Sequence, residues 1–174
     1  MKKIFWRWAV LAGLVVGLGA GRSPAATTDE VEQTVAALVA GPQVTIVHLW
    51  APWCSNCKNE MRPEGWAKFV SANPAVKVVF VNVWHKGQDP LPRLTAAGLT
   101  GEAGGTAPAN FLALTHPNPA TSREEQLKQF LGFPVQWVPT TWVFRAGKLR
   151  YALNYGEVRF PMLQQMVDDS AAKW

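Results

Sequence analysis

The chain has two cysteines, Cys54 and Cys57, and only two residues separate them. The apolar run 45–50, Thr-Ile-Val-His-Leu-Trp, precedes them, so we expect a strand that delivers the pair to the start of a helix. Because there is no third cysteine, the pair can form only an internal disulfide, a dithiol or a mixed disulfide with another molecule. This arrangement is typical of thiol–disulfide exchange.

Other uses of the same spacing stay open. A C-x-x-C pair is also half of a tetrahedral zinc site, but the remaining candidate ligands, His48, His85 and His116, form no cluster in the sequence. A purely structural disulfide is a second alternative, although a bridge across so short a loop stabilises a fold little. A carrier of Cu(I) is a third, with His48 or Met61 assisting the two thiolates. The redox interpretation requires no cofactor and no metal.

Positive charge is concentrated at the N-terminus. The sequence contains 17 Lys and Arg against 12 Asp and Glu, which is a net charge of +5. Four of these cations lie in the first 26 residues, and the other 13 leave the rest of the chain at about +1. No basic stripe remains that would follow a phosphate backbone, so we expect no nucleic-acid partner.

Residues 1–26 are predicted to be a secretory signal peptide. Basic residues at the start are followed by an uncharged apolar run over 8–21 and by small residues at 23–26. An uncleaved membrane anchor is the alternative, but the run has 14 residues, fewer than the roughly 20 that span a bilayer. In both cases we expect export, in a bacterium to the periplasm, where thiols tend to be oxidised and a reduced pair needs an electron donor.

Helix and strand patterns alternate along the rest of the chain. Helical spacing predicts helices before Gly41 and at about 57–71, 92–99, 123–131 and 160–170. Apolar runs predict strands at 44–50 and 76–83, and strands at 140–144 and 149–154 around an Ala-Gly turn. A segment rich in Gly and Pro, 85–123, is predicted to be largely irregular. We therefore predict an α/β domain whose central mixed sheet is flanked by helices, with an insertion after the second core strand.

A second motif, Val138-Pro139-Thr140, lies at the start of a predicted strand. With the segment Trp50-Ala51-Pro52-Trp53-Cys54-Ser55-Asn56-Cys57-Lys58 it resembles the thioredoxin superfamily, whose signature is W-A-x-W-C-x-x-C-K/R followed by a distant cis-proline loop. Gly156 is similar to the late glycine of that family. The resemblance implies a thioredoxin-like domain over 27–174, with its variable insertion at about 85–123.

The resemblance also implies a site. Cys54, at a helix start that lowers its pKa, would attack, and Cys57, more buried, would resolve the mixed disulfide. A cis Pro139 would lie beside the cysteines and leave the backbone of Val138 to pair with an extended substrate; a plain trans proline is the alternative. The side chains of Trp53 and Trp137 flank the two motifs and would form an apolar platform for that substrate.

Three features favour the exported TlpA/ResA-like branch of this superfamily. They are the signal segment, the insertion, and the segment 57–61, Cys-Lys-Asn-Glu-Met, which resembles the C-x-x-E-M pattern of that branch. The resemblance implies reduction of disulfides in exported client proteins, for instance in cytochrome c maturation or oxidase assembly. A membrane thiol donor of the DsbD/CcdA type would restore the dithiol. A disulfide oxidase or isomerase is the alternative enzyme, and a noncatalytic binding module is the alternative of another class.

Two features near the cysteines need separate interpretation. Thioredoxins carry a buried acid two residues before the first tryptophan of the signature, where this chain has His48. We predict that His48 shuttles a proton to Cys57; a core histidine satisfied by a backbone carbonyl is the alternative. Glu60 and Glu64 are four residues apart on the predicted helix, and we expect them on a solvated face rather than tuning the cysteines.

Overall fold

A computed structural model describes residues 28–62, 64–100, 107–154 and 156–172. The predicted signal segment, 1–26, lies outside them. Within the described residues, no helix is both long and apolar enough to cross a membrane. The elements are α1 Thr28–Ala40, β1 Val44–Trp50, α2 Ser55–Glu60, α3 Trp66–Ala72, β2 Lys77–Asn82, α4 Leu91–Ala96, β3 Phe111–Thr115, β4 Gln129–Phe130, β5 Phe133–Pro134, β6 Thr140–Arg145, β7 Lys148–Leu153 and α5 Phe160–Ala171.

Five strands form one mixed sheet in the order β3-β2-β1-β6-β7. The central strand β1 is parallel to β2 and antiparallel to β6, and β3 and β7 are the edge strands. All seven residues of β1 are buried because apolar clusters cover both faces of the sheet. The predicted α/β class with a central mixed sheet is therefore confirmed.

Successive side chains of β1 alternate between two apolar cores. Val47 and Leu49 belong to a core that also contains residues of α1 and β6. Ile46 and Trp50 belong to the opposite core, which α3, α4 and α5 complete. The strand that leads to the cysteines is thus held from both faces, so its end has a fixed position.

The segment 85–123 contains regular structure. α4 confirms the predicted short helix, whereas the pattern did not predict β3, which pairs in parallel with β2 from Val78↔Phe111 to Asn82↔Thr115. Only the first residue of β3 is buried, as an edge strand allows, and this explains why its apolar pattern is weak. The predicted insertion therefore builds one edge of the sheet.

The predicted helix at 123–131 is wrong, since these residues, all described, form turns and the start of a small hairpin. The Glu125 carboxylate accepts hydrogen bonds from the backbone N–H groups of Thr121 and Ser122, at 2.8 and 3.3 Å. A side-chain acceptor that satisfies backbone donors locally competes with the helix. The spacing of these residues predicts a helix, but the hydrogen bonds to Glu125 stabilise a turn instead.

The predicted helix at 57–71 is also wrong as a single element, because α2 ends at Glu60 and α3 begins at Trp66, and the described residues between them, 61, 62, 64 and 65, form turns and a bend. This break brings the backbone of Gly65 very close to α2. A Cβ atom at Gly65 would lie 2.0 Å from the carbonyl oxygen of Glu60, a distance that real Cβ atoms do not show. Glycine is therefore required for the chain to fold back over the end of α2.

We expect Gly65→Ala to lower the free energy of unfolding by about 3 kcal/mol or more, because the added methyl group meets backbone and cannot be accommodated by a side-chain shift. Gly41→Ala is the matched control. Its Cβ would lie 3.2 Å from the nearest atom, the oxygen of Leu38, and should cost less than about 1 kcal/mol. Urea unfolding of both variants measures the difference, and equal midpoints would contradict the steric explanation.

Candidate active site

The strand register brings the two motifs together although they are far apart in the sequence. β1 ends at Trp50, and the antiparallel pairing of Leu49 with Thr140 places the start of β6 beside that end. The chain therefore enters β6 where it leaves β1 for the cysteines. The Sγ atom of Cys54 lies 3.4 Å from the carbonyl oxygen of Val138. The Val138–Pro139 peptide bond at this contact is cis.

Cys54 is the N-cap residue of α2, and both cysteines are free thiols. The backbone N–H of Cys57 donates to the Sγ atom of Cys54 at 3.4 Å. A hydrogen bond from the Cys57 side chain, together with backbone N–H groups of the first turn and the charge of Lys58, lowers the pKa of Cys54 from 9.0 to about 6 despite partial burial. Cys54 is therefore largely a thiolate at neutral pH.

The Cys57 thiol has the opposite environment. Its exposed fraction is 1%, against 7% for Cys54, and burial raises its pKa far above the ordinary value. The bond to the Cys54 sulfur and the charges of Cys54 and Glu60 raise it further. The pair therefore consists of one less deeply buried thiolate and one fully buried thiol that stays protonated until its surroundings change, as the resemblance implies for an attacking and a resolving cysteine.

A buried carboxyl group, that of Glu60, lies behind the cysteines. Its exposed fraction is 3%, so the expected solvated face is wrong for this residue, although Glu64 is exposed. One oxygen accepts the backbone N–H of Val158 at 2.6 Å, and the other accepts the Trp66 indole N–H at 3.1 Å. The second oxygen also lies 3.2 Å from His48 Nε2, although the angle does not suit a hydrogen bond.

The reason for this burial is the break between α2 and α3, after which Trp66 of α3 donates its indole N–H to the Glu60 carboxylate. Without that break, Glu60 and Glu64 would share one helix face. The sequence offered one signal, the C-x-x-E-M resemblance, in which the glutamate has a fixed distance from the second cysteine. That pattern distinguishes a branch of the superfamily and does not by itself mark the glutamate as a site residue.

Burial raises the pKa of Glu60 from 4.5 to about 7, and its two hydrogen bonds only partly oppose this effect. Burial likewise lowers the pKa of His48 from 6.5 to about 3, so the imidazole is neutral at neutral pH. Its Nδ1 atom lies 2.8 Å from the Thr141 hydroxyl oxygen, and a side chain rather than a backbone carbonyl is therefore its partner. Glu60, not His48, is the group of this pair that titrates near pH 7.

The two tryptophans predicted as a platform lie on the outer side of the cysteines. Trp137 is 54% exposed, and Trp53 is half-buried with its indole N–H donating to the carbonyl oxygen of Trp84. Both line one groove, together with Val138. Within the described part of the chain, no group of three or more His, Cys, Asp or Glu side chains is placed to hold a metal ion.

We expect alkylation of Cys54 by iodoacetamide to follow a titration with a midpoint near pH 6. Cys57→Ala removes the largest cause of the lowered pKa, so the midpoint should move up toward 9.0, whereas Cys57→Ser keeps a donor and should move it less. Mass spectrometry at each pH gives the rate at Cys54. Identical midpoints in the three proteins would show that the Cys57 side chain does not stabilise the thiolate.

Comparison with known proteins adds the family. The sequence profile described as thioredoxin-like domain matches residues 31–171. No curated protein sequence matches the chain significantly.

Solved structures were compared as well. A secreted disulfide oxidoreductase of Mycobacterium tuberculosis, described as homologous to DsbE of E. coli, has 19% identity and a TM-score of 0.52, over 76% of this chain and 85% of that one. A candidate DsbE thiol:disulfide interchange protein of Chlorobium tepidum has 21% identity and a TM-score of 0.52, over 77% and 84%. StoA of Bacillus subtilis has 23% identity and a TM-score of 0.48, over 72% and 82%.

The first two structures share the fold of this chain over most of its length. The profile covers the region from α1 to the end of α5 and includes both motifs. The chain therefore belongs to the thioredoxin-like family.

Proposed function

We propose that the protein is an exported thiol–disulfide oxidoreductase that reduces disulfides in client proteins through Cys54 and Cys57. The observation that carries the proposal is the asymmetry of the two thiols: a sulfur with a pKa of about 6 lies against the Val138 carbonyl, and a more deeply buried sulfur with a raised pKa lies behind it. A structural disulfide or a metal pair has no need of this asymmetry.

The reaction follows from that arrangement. The Cys54 thiolate attacks one sulfur of the client disulfide, the client S–S bond breaks, and a Cys54–client disulfide forms while the departing client thiolate takes up a proton. Cys57 then loses its proton and attacks the sulfur of Cys54, which releases the second client thiol. Two electrons pass from the cysteine sulfurs to the client, whose two thiolates take up the proton released by Cys57 and one proton from water, and the protein keeps the Cys54–Cys57 disulfide. The free N–H and C=O groups of an extended client segment would pair with the backbone of Val138.

Glu60 is the proposed acceptor of the Cys57 proton. The negative charge of Glu60 raises the pKa of Cys57, and that of Cys54 raises the pKa of Glu60, so the three groups influence one another. Formation of the mixed disulfide removes the Cys54 charge, which makes Glu60 easier to ionise and ready to take the proton. His48, which the sequence suggested as the shuttle, would act through its contact with Glu60 and not by its own titration.

The direction of electron flow is proposed from the pKa of Cys54. A thiolate that is strongly stabilised makes the reduced form stable and the protein oxidising. In thioredoxin the corresponding pKa is about 7, and in strongly oxidising members of the superfamily it is about 3.5. The value of about 6 in this chain is closer to the reductase. A reductase in an oxidising compartment requires an external dithiol, for which we propose the membrane donor of the DsbD/CcdA type.

Export is proposed from the apolar run at 8–21 and from the secreted relative of Mycobacterium tuberculosis, which has the same fold. In a bacterium this corresponds to the periplasm, with the membrane as a partner only if the N-terminal segment stays attached. Clients in cytochrome c maturation or oxidase assembly are the proposed setting. Identifying the proteins trapped on Cys54 tests whether the clients are exported proteins and whether they belong to one of these two settings.

We expect Cys57→Ser to accumulate mixed disulfides at Cys54 in cells, because the resolving thiol is missing and the attack is not. Cys54→Ser is the matched control and should trap nothing and reduce nothing. Non-reducing electrophoresis followed by mass spectrometry identifies the attached proteins. If wild-type protein reduces no disulfide and Cys57→Ser traps nothing, the enzyme proposal is wrong.

The direction of electron transfer is tested separately, with the purified protein. Equilibration of the purified pair with glutathione should give a reduction potential nearer to about −270 mV, as in thioredoxin, than to about −120 mV, as in a strong oxidant. A value at the oxidising end would overturn the reductase direction and favour the oxidase alternative.

We expect Glu60→Gln to slow the resolving step at least about tenfold at pH 8, because a group that accepts a proton in the rate-limiting step contributes at least this much. The wild-type resolving rate should rise with pH through a midpoint below about 7, because the mixed disulfide lacks the Cys54 charge that raises the Glu60 pKa, and the variant should lack that rise. Quenched-flow mass spectrometry separates the mixed disulfide from the Cys54–Cys57 disulfide. Glu64→Gln, exposed and four residues away, is the control and should behave as wild type. A pH profile unchanged in Glu60→Gln would exclude the assigned role.

A further inference from the structure

A groove of about 840 Å³ is lined by Trp53, which precedes Cys54 in the chain, and by Val138. Val138, whose carbonyl oxygen is 3.4 Å from the Cys54 sulfur, is part of its wall, so the groove begins where a client disulfide would be attacked. Its lining combines three indole rings with three cations: Trp53, Trp84, Trp137, Lys86, Arg123 and Lys128. None of the described residues that line it is acidic.

This concentration of positive charge is a local property. The chain beyond residue 26 has a net charge of about +1, because it contains 13 cationic and 12 anionic side chains. Two of the anions, Glu124 and Glu125, are on the same loop as Arg123, but neither lines the groove. The carboxylate of Glu125 is occupied by hydrogen bonds from the backbone of Thr121 and Ser122. Hydrogen bonds, and then the charges of Lys128 and Arg123, lower the pKa of Glu124, and this carboxylate offsets part of their charge. The lining itself carries three cations and no acidic residue among those described, so the groove is more positive than the nearly neutral domain.

The cation nearest to the motif is held in place by its loop. The backbone N–H of Lys86 donates to the carbonyl oxygen of Pro119 at 2.7 Å, and its Nζ atom lies 4.6 Å from the centre of the Trp53 ring. Trp84 and Lys86 both have left-handed backbone conformations, with φ of 52° and 54°. Such conformations are rare for bulky residues and cost about 1–3 kcal/mol each, so the loop must be held by its neighbours.

The second side of the groove carries the other two cations. Lys128 donates from its Nζ atom to the carbonyl oxygen of Arg123 at 3.1 Å, which ties the two residues to one turn. Both side chains are exposed, as is that of Lys86. Charges that stay in contact with water attract an incoming anion without a large cost of desolvation.

We propose that this groove binds an extended client segment that carries aspartate or glutamate beside the cysteine under attack. The proposal rests on the proposed function and adds the class of client: acidic rather than neutral or basic. An extended chain rises about 3.3 Å per residue, so residues within a few positions of a client cysteine at Cys54 would contact the groove. The indole rings supply apolar contact for the backbone and the cations select the charge.

The test uses three disulfide-bonded peptides of equal length that differ only in the residues beside the cysteine: acidic, neutral and basic. Reduced wild-type protein should reduce the acidic peptide about tenfold faster than the basic one at low ionic strength, and the ratio should approach one in about 0.5 M salt. In a Lys86→Glu, Arg123→Glu, Lys128→Glu variant the ratio should invert. Comparing ratios within one protein removes any change in overall activity.

A Lys68→Glu, Lys148→Glu, Arg150→Glu variant is the matched control, because it changes the net charge equally at exposed residues of α3 and β7 that do not line the groove. Its ratio should equal that of the wild type. A second arm measures binding of a cysteine-free acidic peptide by tryptophan fluorescence. If the wild type binds this peptide, the groove variant does not, and the wild type reduces none of the disulfide-bonded peptides, then the groove proposal holds and the proposed function is wrong.

Two outcomes would overturn the groove proposal itself. One is a wild-type protein that reduces acidic, neutral and basic peptides at equal rates at low salt. The other is an equal loss of acidic preference in the groove variant and the control, which would mean that net charge alone attracts the client. Either result leaves thiol–disulfide exchange by Cys54 and Cys57 untouched.

Discussion

The burial of one carboxyl group, that of Glu60, connects most of the elements around the active site. Its two oxygens contact β1 through His48, α3 through Trp66 and the segment before α5 through Val158, while its backbone ends α2. A carboxyl group out of water needs such partners, because an unpaired one would cost several kcal/mol. The contacts that satisfy Glu60 therefore also determine where α2, and with it the cysteine pair, lies on the sheet.

This arrangement has a cost that depends on pH. The folded pKa of Glu60, about 7, lies above its ordinary value of 4.5, so ionisation opposes folding. The cost is absent below about pH 4.5, grows as the pH rises and is complete above about 7. A fold selected only for stability would place an apolar residue there. The chain instead has Glu60, which ionises near the pH where the buried Cys57 thiol would have to lose a proton. Many active sites lose some stability for activity in this way.

Much of this was accessible from the sequence, and the failures have specific causes. Cys54 and Val138-Pro139 could be paired because two distant motifs of the superfamily occur together, and the strands around them are strongly apolar. The burial of Glu60 was not predicted, because it depends on a break in the helical pattern that Pro63 and Gly65 mark in the sequence only as a kink, and a glutamate in such a pattern is usually solvated. The prediction of a helix at 123–131 was wrong because the Glu125 carboxylate accepts hydrogen bonds from backbone N–H groups, which stabilises a turn in place of the helix. The groove was not predicted because its three cations come from two separate loops, whose proximity is a product of the fold.

The edge strand β3 carries a consequence for how such proteins diversify. The segment between β2 and the end of β3 supplies a strand of the sheet and, at its beginning, Lys86 of the groove. One side of the proposed client groove and one edge of the sheet therefore lie on the same stretch of chain, while Arg123 and Lys128 come from a second loop. If that stretch were exchanged with another family member, both the edge strand β3 and Lys86 would be replaced. The sheet of the recipient would then have to pair with the new edge strand. The contribution of Lys86 to the proposed specificity would then be inherited together with a strand of the sheet and not as a detachable loop.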